Sequence, residues 1–269
     1  MQFPFASLFR PIAVAIAVAV TLVAAPAAAA MRVSPMIIEM GTTGANGVSR
    51  IEVQNLNQTQ LPYETRVTLI QFHDDGTITE IPADDDFLVF PPQGVLPPGG
   101  RQVIRVQWVG PALDASRAYY VSVNQLPVTL DPNAQAQDAP AAQLQIVYHM
   151  KALVVVSPPG ATPNVTAIDA KAAPYQPKAL PGQPAPPTVP GVAITLRNTG
   201  KRHAMMGGLP WVLDGTGTDG KPLHMVFSLA ELNQYIGSGY IGPLGAVRTY
   251  SLPTTTPFGP GPIKVRFHL

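Results

Sequence analysis

An all-β chain of two sandwich domains is what the sequence predicts, and three observations predict it. Apolar and polar residues alternate with period 2 through most of the stretch from Val33 to Val156, the breaks carry turn chemistry, and no helical pattern intervenes. The 31 prolines and 23 glycines, about a fifth of 269 residues, agree, because they break helices and suit short strands joined by turns. Composition also excludes several classes of function. With 17 Lys and Arg against 16 Asp and Glu, the chain lacks the field that nucleic-acid binders use. With no cysteine, it has no disulfide scaffold, thiolate metal site or thiol nucleophile.

In chain order, residues 1–30 read as a signal peptide. Arg10 is the only charge there, the apolar run from Ile12 to Ala25 is short for a membrane span, and Ala28 and Ala30 form an A-x-A cleavage site. Cleavage is expected after Ala30, followed by export, and the remainder carries 16 basic and 16 acidic side chains. Strands with one buried face follow at Arg50 to Gln54, Thr65 to Leu69 and Ile104 to Trp108. Turns are expected at Asn55 to Pro62, Asp74-Asp75-Gly76, Pro91-Pro92, Pro97 to Gly100 and Gly110-Pro111. The longest run, Leu144 to Val156, would extend roughly 40 Å at about 3.3 Å per residue.

Pro158-Pro159-Gly160 ends that run and is the expected boundary between a domain of residues 31–157 and one of residues 158–269. Strand-like segments then recur at Asn164 to Ile168, Val192 to Asn198, Pro210 to Leu213, Leu223 to Phe227, Val247 to Leu252 and Ile263 to His268. Seven of the seventeen residues from Pro174 to Pro190 are proline, so an extended, solvated loop without a regular partner is expected there. Ser228-Leu229-Ala230-Glu231 has the form of a capping box and predicts one short helix.

No catalytic constellation can be assembled. The histidines His73, His149, His203, His224 and His268 show no metal-binding spacing and read as turn or strand-face residues. No G-x-S-x-G elbow or phosphate loop is present. Asp84-Asp85-Asp86 lacks the glycine and distal glutamate of a calcium loop and reads as a solvated turn. The expectation is a protein that is not an enzyme and uses no metal, cofactor or small-molecule substrate. The informative segment is Gln143 to Met150, where Leu144, Ile146, Tyr148 and Met150 share one face after the polar, alanine-rich stretch Asp131 to Ala142. Alternation alone permits a central strand or an edge.

Several stretches carry a resemblance. Leu144-Gln145-Ile146 runs without a gap to Pro158. Phe90-Pro91-Pro92 precedes Leu96-Pro97-Pro98-Gly99 and Gln102 to Val106. Leu113-Asp114 leads through Arg117 to Val123 into Leu126-Pro127, and Val33 to Met40 forms a first strand. Together they resemble the periplasmic pilus chaperones, the PapD-like family of the chaperone-usher pathway. Leu196 to Gly200 and the stretch from Gly239-Tyr240-Ile241 to Leu252 match more loosely.

The resemblance implies two immunoglobulin-like sandwiches set at an angle around a cleft, in a periplasmic protein. Its partners would be pilin-type subunits and an outer-membrane usher. The strand bearing Leu144, Ile146, Tyr148 and Met150 would complete a subunit by β-augmentation, with alternate side chains entering the subunit's groove. Family members hold the subunit's terminal carboxylate with a cleft arginine and a lysine. Aligned on Pro35 and Pro158, those positions are Ile37 and Leu153 here. Lys151, on the face of Leu153, is the candidate substitute, and Arg32 a second. Their alternative reading is charge that blunts an exposed edge. For the whole chain the alternative is a two-domain β-sandwich of the cell envelope that binds or builds without donating a strand.

Overall fold

Alternating segments become strands wherever one face finds a core, and in the computed structural model two cores form. The structure describes residues 31–73, 77–127 and 147–267. The expected signal peptide, the Asp74-Asp75-Gly76 turn, the Asp131 to Ala142 stretch, Leu144, Ile146 and His268 lie outside the described residues. In the first unit the strands are β1 (Met31–Ser34), β2 (Ile37–Gly41), β3 (Val48–Asn55), β4 (Leu61–Phe72) and β5 (Ile78–Pro82). They are followed by β6 (Phe87–Phe90), β7 (Gln93–Leu96), β8 (Arg101–Trp108), β9 (Arg117–Gln125) and β10 (His149–Ser157).

One sheet runs β1-β3-β8-β6. The other runs β2-β10-β9-β4-β5, with β7 also on β4. The chain changes sheet between β1 and β2, so β2 lies parallel to β10 while β10 is antiparallel to β9. Between the sheets Ile51, Val53, Ile104, Val106, Tyr119, Val121 and Val154 are almost wholly buried, each such apolar side chain contributing about 1.5–3 kcal/mol. Phe87, Trp108 and Tyr119 meet edge to face with centroids 5.0–5.7 Å apart.

The Asp84-Asp85-Asp86 segment is the solvated turn expected, with Asp84 and Asp85 exposed, and it also ties neighbouring elements together. In this 3-10 turn Asp84 Oδ1 accepts from the Val67 amide at 2.9 Å and Asp86 Oδ2 from the buried Tyr119 hydroxyl at 2.8 Å. Two of the three carboxylates therefore bind the fold together.

The second unit holds β11 (Val165–Ala172), β12 (Gly191–Asn198), β13 (Ala204–Met205), β14 (Trp211–Thr216), β15 (Pro222–Phe227), helix α1 (Leu229–Ile236), β16 (Tyr240–Ile241), β17 (Ala246–Pro253) and β18 (Lys264–Phe267). Sheets β11-β12-β17 and β15-β14-β18 enclose Ile194, Leu196, Trp211, Leu213, Leu232 and Leu252, and β13 pairs with β16 beside them. The helix forms where the capping box lies: Ser228 and Glu231 cap each other reciprocally and Leu232 is turned inward. The proline-rich loop is less free than expected. Tyr175 and Val189 exchange two backbone hydrogen bonds at 2.8 and 2.9 Å, and Tyr175 packs edge-on to Tyr235 at 5.9 Å.

Each unit buries an asparagine at the end of an inner strand. Asn55 Nδ2 donates to the carbonyls of Thr59, Leu96 and Pro97. Asn198 Nδ2 donates to those of Arg202 and Gly242. Beside Asn198, Gly200 has no room for a side chain, since a Cβ would stand 2.3 Å from the Thr162 carbonyl oxygen. That packing is a reason for the Leu196 to Gly200 pattern.

Candidate functional site

Strand β10 is covered on its two edges to different extents. From His149 to Val156 one edge pairs with β9, but β2 pairs with the other edge only from Leu153, opposite Ile37, to Ser157. The first hydrogen bond on that side is Leu153 N–H to Met36 O at 2.8 Å. Among the described strands, then, residues 149–152 have one neighbour and residues 153–156 have two. The same strand is an edge in its first half and central in its second.

The two faces of β10 differ as well. Tyr148 and Met150 are half-buried and pack on the first core with Ala152, Val154 and Val156. His149, Lys151, Leu153 and Val155 take the opposite face. On this outer face Val155 joins Ile70, Ala118 and Tyr240 in a third buried cluster, with Tyr120, Leu153 and Met205 against it, so the second unit docks here.

Positions 37 and 153, matched independently from Pro35 and Pro158, are direct partners in register. The pair is apolar, with Ile37 exposed at 47%. Lys151, one pleat away from Leu153, is half-exposed and committed: its Nζ donates to Glu80 Oε1 at 2.6 Å and lies 5.5 Å from the centre of the Tyr120 ring. That bond, with a second from the Thr68 hydroxyl to Glu80 Oε2 at 2.9 Å, holds the Glu80 carboxyl below its ordinary range. Arg32 is not brought to this place. It projects from β1 in the other sheet, where its register partner is Gln54.

At the junction of the units stands a group that sequence reasoning missed. His203 is 2% exposed, unlike a turn or strand-face histidine. Its ring stacks on Tyr240 at 5.7 Å, Tyr240 stacks in turn on Phe72 at 4.7 Å, and its Nε2 lies 3.6 Å from Glu39 Oε1. Arg202 pairs with the same carboxylate, and the His203 amide donates to Ser116 Oγ at 2.7 Å. Burial drives the His203 pKa down against the pull of Glu39. No spacing rule reveals this cluster, because Glu39 and Arg202 are 163 residues apart. His73, His149 and His224 do sit at a strand end or on strand faces, and no group of potential metal ligands occurs among the described residues.

No family model and no curated protein matches the chain. Solved structures do. The class 5 fimbriae chaperone CfaA superposes with a TM-score of 0.50 over 89% of this chain and all of its own, at 12% identity. A chaperone-tip adhesin complex of CFA/I fimbriae biogenesis gives 0.49, 12% identity and 88% and 99% coverage. The SafB chaperone structure with the SafA pilin of Salmonella enterica gives 0.47, 14% identity and 89% and 95% coverage. The chain has the two-domain immunoglobulin-like fold of the pilus chaperones, the fold seen in CfaA.

Proposed function

We propose that this protein is a periplasmic chaperone that holds pilin-type subunits by donor-strand complementation and passes them to an outer-membrane usher, using no cofactor and no covalent chemistry. The observation that carries the reading is the half-open β10: residues 149–152 have one neighbour among the described strands, which leaves backbone donors and acceptors on the other side, next to a segment whose Leu144, Ile146, Tyr148 and Met150 alternate with period 2. A client lacking a strand would gain main-chain hydrogen bonds along that edge, and Leu144 and Ile146 would supply side chains for its groove ahead of Tyr148 and Met150, which already pack in part on this protein's own core. In this reading residues 31–157 form the donating domain and residues 158–269 the second sandwich. A client carboxylate would reach Lys151 by displacing or sharing Glu80, since Ile37 and Leu153 offer it no charge.

The test is co-expression with a pilin-type subunit and purification of the complex. Ile146→Asp would place a charge in the client's apolar groove, so client retention should be lost while the melting temperature of the free protein stays within about 2 °C of wild type. Unfolding of the variant would mean that Ile146 belongs to the protein's own core, and the strand-donation reading would fall.

A further inference from the structure

The outward face of the sheet β1-β3-β8-β6 carries a charge pattern that strand donation does not use. Arg50 on β3 and Arg105 on β8 stand directly opposite each other, and Phe90 on β6 is the next residue across. Two positions along, Glu52 faces Val103. Beyond them Arg32, Gln54 and Arg101 form another row. All belong to the outer face, because the intervening Val33, Ile51, Val53, Ile104 and Val106 are buried.

Four guanidinium groups thus meet a single carboxylate on this face, in a chain whose charges otherwise nearly balance. Glu52 lies 3.6 Å from Arg101, and Arg105 donates to Gln107 at 2.8 Å. Arg32 and Arg50 have no ion-pair partner among the described residues. Like charges directly opposite in a sheet oppose its pairing, so Arg50 and Arg105 do not serve the fold. Next to them Phe90 is 67% exposed and Leu88 54% exposed, on a strand at the sheet's edge. Arginine beside exposed aromatic and apolar side chains is the composition of an interface centre.

We propose that this face docks an acidic segment of a partner protein, with carboxylates over Arg50, Arg105 and Arg101 and an apolar side chain against Phe90 and Leu88. Guanidinium pairs carboxylates through two parallel hydrogen bonds, and along β8 Arg101 and Arg105 stand four residues apart on one face, about 13 Å at about 3.3 Å per residue, a spacing that an extended peptide lying along the strand repeats. The central Glu52 favours protein over a uniformly anionic lipid surface, because a peptide can set a donor there and lipid phosphates cannot.

The experiment uses the chain from Met31 and a synthetic ten-residue peptide that carries four Asp and one Leu at its odd positions and Thr at its even ones, so that acidic and apolar side chains share one face when it is extended, followed by calorimetry at low and physiological salt. The peptide should bind, more weakly as salt rises, and its Asn-for-Asp counterpart should bind at least tenfold more weakly. The double variant Arg50→Ala/Arg105→Ala should lose at least tenfold in affinity, and Phe90→Ser should lose affinity too. Its melting temperature should equal or exceed that of wild type, and retention of a pilin-type client should be unchanged, which separates this site from strand donation. The proposal is overturned if the Asp peptide fails to bind, if the double variant binds it as wild type does, or if that variant melts lower because the arginines hold the sheet. Binding to phosphatidylglycerol vesicles through these arginines, without peptide binding, would overturn it in favour of a lipid surface.

Discussion

His203 shows how one buried side chain ties stability to pH. Its folded pKa lies below the ordinary value of 6.5, so between the two values the unfolded chain binds a proton that the folded chain does not. Stability is therefore full above about pH 6.5 and falls as pH drops, at up to about 1.4 kcal/mol per pH unit. The depressed carboxyls Glu80 and Glu231 act in the same direction, but only near and below their ordinary value of 4.5, so they do not account for a fall between pH 6.5 and 5. Thermal melts across that window should show a fall for the wild type and a flatter profile for His203→Gln. An equal fall in both would place the titrating group elsewhere. A histidine in sequence carries no sign of its burial, which is why His203 could not be told from His73 or His149 before the fold was known.

At the scale of elements, β10 joins two environments in one strand. Its second half is buried between β2 and β9, and its first half has one neighbour among the described strands, with Lys151 held by Glu80 over Tyr120. In the free protein this pair is partly exposed at the surface, so Lys151→Ala should cost less than about 1 kcal/mol of stability. In a client complex the same change would leave a carboxylate without its cation, and the dissociation constant should rise about tenfold or more. Titration calorimetry against a pilin-type subunit checks this, and an unchanged constant would remove Lys151 from the site. The period-2 pattern made the strand legible in sequence, because alternate side chains face a core whichever neighbour lies alongside. It could not show where along the strand β2 begins.

For the whole molecule, the question is what holds the two sandwiches together. The Arg202–Glu39 pair is about 40% exposed on both sides, and such pairs contribute about 0–1 kcal/mol. Tyr240 is only 5% exposed, stacked between Phe72 and His203 and packed with Ile70, Ala118 and Val155, and truncating a buried aromatic costs about 3–5 kcal/mol. The apolar contact outweighs the ion pair. Tyr240→Ala should therefore loosen the junction, seen as an increased radius of gyration in solution scattering, while Glu39→Gln should change it little. A larger effect from Glu39→Gln would reverse that ranking.

By itself the sequence determined the all-β class, the strands around Arg50 to Gln54, Thr65 to Leu69 and Ile104 to Trp108, the main strand segments after Asn164, the capped helix after Ser228, and the facing of Lys151 with Leu153. These follow from the two-residue period of a strand and from side chains that bond within one turn. Only the tertiary structure decided that Ile37 lies against Leu153, that Glu80 holds Lys151 across 71 residues, that Arg32 sits in the other sheet, and that His203 is buried between the units. A local pattern records which face of a segment is apolar. Which segment comes to lie beside it is settled by pairing between distant parts of the chain, and that pairing leaves no periodic trace in either partner.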